Sequence, residues 1–159
     1  MSFHSNNWFK VVIVLVFLST SLAAKAQSGN PKFNKALADS LGADDYGMKM
    51  YVLVLLKAGT VTIADKKKTD SIFSGHLQNI RRLANEGKLT VAGPLENNDK
   101  GYRGIFILNV KTISEAKVLL ETDPAIKAKV LETELYQWYG SAALPMYLQF
   151  SEKVEKTTY

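Results

Sequence analysis

Two side chains in this sequence could move a proton between them. His76 lies in Ser74-Gly75-His76-Leu77, and it is the one histidine outside the first 26 residues, where His4 stands. Imidazole is the side chain whose ordinary charge change falls between pH 5 and 8. Partial burial disfavours the charged form of an imidazole and a nearby carboxylate favours it, which is how a histidine becomes a poised base. The glycine before His76 leaves room for another element to approach closely. Asp123, followed by Pro124, is the candidate partner. Each has a plainer reading: His76 as a core histidine bonded to one carbonyl, and Asp123 as a helix cap ahead of a first-turn proline.

Other chemistry is poorly represented. The chain has no cysteine, so disulfides, thiol nucleophiles and thiolate metal sites are excluded. One histidine among scattered acids lacks the spacing of a metal site, Met48 and Met50 read as packing, and neither metal nor cofactor is expected. Gly101-Tyr102-Arg103-Gly104 is too short for a phosphate loop. Lys66-Lys67-Lys68 and Arg81-Arg82 lack interleaved aromatics, so they read as solvated surface and no nucleic-acid partner is expected. Tyr136, Trp138 and Tyr139 either line a cavity or fill an interface.

The elements that must position His76 and Asp123 follow from periodicity. Residues 50–56, Met-Tyr-Val-Leu-Val-Leu-Leu, are apolar on both faces and predict a strand covered on both sides. Between 69 and 86 the period becomes helical: Ile72, His76, Ile80 and Leu83 form one stripe, flanked by Phe73, Leu77 and Ala84, and Gly87 ends the helix. A short strand over 88–95 and another over 102–110 are joined by the turn residues 97–101. Thr112-Ile113-Ser114-Glu115 is a capping box opening a helix to about Thr122. A short helix from Pro124 and a final strand over 131–139 complete the order βαββαβ.

Right-handed crossovers turn that order into a ferredoxin-like α+β sandwich, with a four-stranded antiparallel sheet and both helices on one face. The other sheet face is then apolar and unshielded, so a homodimer formed through it is expected.

The N-terminus reads as an export signal. Lys10 precedes the unbroken apolar run 11–18, and small residues follow up to Ala24-Lys25-Ala26, placing a cut before Gln27. The run is short for a membrane span, which needs roughly 17–25 residues. A periplasmic or secreted protein without membrane attachment is the expectation. The formal charge of +5 falls when Lys10 and Lys25 are removed, and is too scattered to imply a polyanionic partner. Residues 27–48 form an N-terminal extension, 49–148 the domain, and 149–159 a polar tail.

Several segments, in order, carry a resemblance. They are Gly75-His76-Leu77-Gln78-Asn79-Ile80, Leu83-Ala84-Asn85-Glu86-Gly87-Lys88-Leu89, Ala92-Gly93-Pro94-Leu95, Arg103-Gly104-Ile105-Phe106, Thr122-Asp123-Pro124-Ala125-Ile126 and Trp138-Tyr139-Gly140-Ser141. Over residues 50–144 the sequence resembles the YCII-related domain family. The resemblance implies ferredoxin-like subunits that dimerise through their sheets into a dimeric α/β barrel. It also implies an active-site pair at His76 and Asp123. Some members resemble ring-processing enzymes of aromatic degradation, including a dehydrochlorinase. Two functions remain open: a small-molecule lyase or isomerase using a His-Asp acid/base pair, and a non-catalytic dimeric small-ligand-binding or interaction module.

Overall fold

The computed structural model describes residues 29–157, so the expected export signal, 1–26, lies outside the described residues. The chain divides into two units, Met1–Lys35 and Ala36–Tyr159. The described part of the first is a turn, in which the Phe33 N–H donates to the Asn30 carbonyl and the Lys32 N–H to the Asn30 side chain. Helix α1 (Lys35–Leu41) begins at the boundary. The second unit continues with β1 (Met48–Ala58), α2 (Lys66–Asn85), β2 (Leu89–Pro94), β3 (Tyr102–Leu108), α3 (Ile113–Leu120), α4 (Pro124–Lys127) and β4 (Leu131–Ser141). A 3₁₀ turn (Leu144–Tyr147) and helix α5 (Leu148–Val154) follow.

The four strands form one antiparallel sheet in the order β2-β3-β1-β4, the ferredoxin-like arrangement. Alternation along β1 sends Val52, Val54 and Leu56 to the helical layer, where they are buried with Phe106, Leu108, Leu83 and Leu120. On the other face Leu53, Leu55, Ile105 and Ile107 are only half-buried and Tyr136 is 50% exposed. β1 is therefore not covered on both sides along its length. Cover on the second face is confined to one end, where fully buried Tyr51 packs on Trp138 and donates its hydroxyl to the Ser141 carbonyl at 2.8 Å.

The expectation of an α/β barrel is corrected by this topology. The sheet is open: β2 and β4 are its two edges, separated by β3 and β1, and among the described residues neither pairs with a further strand. Closure requires every edge to find a partner, which typically takes about eight strands.

Local chemistry sets the helix ends. α2 starts three residues before the expected position because Asp65 caps it, accepting from the Lys67 N–H (2.9 Å) and the Lys68 N–H (3.3 Å). At its other end Gly87, at φ +66°, donates to the Ala84 carbonyl while Lys88 donates to Leu83, the paired bonds of a Schellman motif. The capping box forms as read: the Glu115 N–H donates to Thr112 Oγ1 and the Thr112 N–H to Glu115 Oε2. The polar tail expected from residue 149 instead begins as α5.

Candidate active site

The stripe of α2 is not uniformly core. Leu83 and His76 are buried, whereas Phe73 and Leu77 are 37% and 46% exposed. The exposed pair border a cavity of about 1010 Å³ between α2 and the β2 side of the sheet. Leu56, Phe106, Ile80 and His76 contribute to its lining, as do Arg81 and Arg103. The imidazole is flanked by two rings, with Phe106 nearly parallel at 6.0 Å between centroids and Phe73 edge-on at 6.1 Å.

His76 and Asp123 meet. Nδ1 of His76 stands 2.7 Å from Oδ2 of Asp123, whose side chain is fully buried. The approach depends on Gly75: a Cβ built there would lie 2.9 Å from Cγ of Pro124, the residue after Asp123. Asp123 is at the same time the N-cap of α4, its Oδ1 accepting from the N–H groups of Ala125 (2.9 Å) and Ile126 (3.4 Å). Both readings of Asp123, cap and partner, therefore hold on one carboxylate, with one oxygen for each. Burial pushes its pKa up. The hydrogen bond and charge of His76, together with the two backbone donors, outweigh burial and hold it below the ordinary carboxylate value.

An ionised carboxylate only accepts, so the proton in this bond belongs to Nδ1. That assignment leaves Nε2 as the ring nitrogen able to exchange a proton with a molecule in the cavity, and Asp123 orients the ring.

Three residues that were not among the candidate site residues hold the pair. Asn79, 8% exposed, donates from Nδ2 to Asp123 Oδ2 at 3.5 Å. Its Oδ1 accepts from Arg82 Nη2 (2.8 Å) and from Thr122 Oγ1 (2.9 Å), which fixes the amide with its NH₂ towards Asp123. Arg82 also binds both oxygens of Glu86 and donates to Thr122. Arg82 is exposed, as expected of solvated surface, and it also buttresses Asn79. The spacing His76, Asn79, Arg82, three residues apart on one helix, is the signal that reveals this ridge. Of the other candidates, Trp138 packs on Tyr51, Tyr136 and Tyr139 are exposed, and none of the three borders the cavity.

A model of the YCII-related domain matches residues 50–139, more than half of the chain and both members of the pair. This chain belongs to the YCII-related domain family. Among solved structures, the YCII-related chain is similar to 5-chloro-2-hydroxyhydroquinone dehydrochlorinase from Burkholderia phenoliruptrix AC1100, determined in complex with 2,5-dihydroxybenzoquinone. The identity is 20%, the coverage 55% of this chain and 92% of that one, and the TM-score 0.39. No curated protein matches the sequence. Among the described residues no helix is long and apolar enough to cross a membrane.

Proposed function

We propose that this YCII-related domain is a small-molecule lyase or isomerase in which His76 is the acid/base and Asp123 its orienting partner. The observation that carries the reading is the 2.7 Å bond between buried Asp123 and an imidazole bordering a large cavity. In this reading Nε2 takes a proton from a carbon of the ligand, and the electron pair of the broken C–H bond stays on the ligand. In an elimination that pair forms the new double bond and expels a leaving group with its own bonding electrons. In an isomerisation it shifts along a conjugated system and the imidazolium returns the proton at another carbon. Neither route needs an external oxidant or reductant. A positioned base of this kind typically contributes about 10²–10⁴-fold.

The test is a screen of cyclic organic acids, enones and hydroxylated rings, with products identified by mass spectrometry, on the wild type, His76→Ala and Asp123→Asn. Conversion by the wild type should drop by about 10²-fold or more in both variants. Conversion unchanged in both rejects the reading, and binding without conversion by the wild type transfers the site to a ligand-binding module.

Two further proposals accompany this one. A second copy of the chain covers the half-buried sheet face. The protein acts outside the cytoplasm, on the strength of the 10–26 sequence pattern alone, and mass spectrometry of the native protein for a chain starting at Gln27 tests that placement.

A further inference from the structure

The family match ends at residue 139, yet the cavity does not. Tyr147, Leu148, Ser151 and Glu155 border the same space as His76. They come from the 3₁₀ turn, from two positions three residues apart on α5, and from the residue that caps that helix. A seven-residue helix with no side-chain cap at its N-terminus does not hold itself in place. Its attachment is visible on the sheet. The β2–β3 register passes from Leu89↔Leu108 to Val91↔Ile107, so Thr90 is the extra residue of a bulge. The Thr90 carbonyl accepts the Tyr147 hydroxyl. Thr90 is itself buried and borders the cavity, so the bond ties the C-terminal segment to the cavity wall.

We infer that residues 147–155 are the specificity wall of the His76 cavity, latched through Tyr147 to the Thr90 bulge, and that the wall selects an apolar, ring-bearing small molecule. The ligand class follows from what faces the imidazole: Phe73 and Phe106 beside it, with Ile80, Leu77 and Leu148 around the same space. Such a lining rewards a planar apolar body, while Ser151 and Glu155 are the polar groups that α5 and its cap bring to it. The inference rests on reading the cavity as a ligand site. It goes further by separating the part that chooses the ligand from the pair that acts on it.

The experiment uses N-phenyl-1-naphthylamine, an uncharged ring compound that brightens in apolar surroundings, with the full chain, Tyr147→Phe, Leu148→Ala and a chain stopped after Ala143. Affinity is read by fluorescence, and occupancy at His76 by the imidazole ¹⁵N shifts. The probe should shift the His76 signals in every folded protein. Its affinity should weaken about two- to tenfold on loss of the Tyr147 hydroxyl, the scale of one neutral hydrogen bond, and about tenfold or more on loss of the segment. The two point variants carry the test if the shortened chain does not fold. Equal affinity in all folded variants, with His76 shifts retained, overturns the wall and leaves the ligand site standing. A probe that leaves the His76 signals of the full chain unmoved overturns the ligand site and the wall together.

Discussion

Asp123 divides its two oxygens between the cap of α4 and the bond to His76, and its ionisation is measurable without a substrate. Its folded pKa is held below the unfolded value of about 3.9. The native state therefore binds fewer protons than the unfolded chain, so the stabilisation is complete above about pH 4 and is lost as pH falls through the folded pKa. Urea midpoints should fall between pH 7 and pH 3 by more in the wild type than in Asp123→Asn, and equal slopes would refute this. Asn79→Asp sets a second carboxylate beside Asp123, which raises the Asp123 pKa. Carboxyl ¹³C titration should show it taking its proton at higher pH than in the wild type, and an unmoved midpoint would remove Asn79 from its positioning role. His76 and Asp123 were legible because histidine is scarce here and Asp-Pro is a recognisable start. Asn79 was not, because the three-residue spacing of His76, Asn79 and Arg82 marks a shared helix face without saying which of its polar groups turns to Asp123.

At the scale of elements, the close packing of α2 on α4 is the geometry that brings the pair together. Gly75→Ala places a methyl 2.9 Å from the Pro124 ring, whose atoms have little freedom to move. Replacing glycine by alanine inside a helix stabilises by about 1 kcal/mol, but overpacking costs about 1–3 kcal/mol. Net destabilisation is the expected outcome, together with a longer His76–Asp123 separation, and the two are read by thermal denaturation and by the imidazole ¹⁵N shifts. A more stable variant with unchanged shifts would contradict this account of the contact. Strands, the main helix and the capping box were legible because each carries a period or a local motif. Helix α5 escaped, since seven residues with a mostly polar surface hold too few apolar positions to show a period, and what ties its start to β2 is the Tyr147 hydroxyl of the preceding 3₁₀ turn.

For the whole molecule, the proposed state of assembly rests on the open sheet face. Leu53, Leu55, Ile105 and Ile107 lie half-buried side by side, with Tyr136 at their margin. Apolar burial contributes roughly 25 cal/mol per Å², and a standard interface covers about 800 Å² per partner. The proposed pairing of two chains through this face should give twice the monomer mass in light scattering at micromolar concentration. Ile107→Glu should return the monomer with its circular dichroism preserved. A wild-type monomer under the same conditions would end the proposal. The apolar face was legible in the alternation of the strands, but the expected closure into a barrel was wrong, because a strand pattern specifies which residues share a face and does not specify what meets the edges.

The bond between His76 and Asp123 also has a meaning for folding. The two residues are 47 apart in the chain, one on the helix of the first βαβ half and the other in the helical region of the second. Neither half alone can make the contact. Closing a loop of that length comes at an entropic cost that only the docked halves offset. Formation of the imidazole–carboxylate pair thus requires both halves to have docked, and a chain in which they have separated presents no oriented imidazole to the molecules around it.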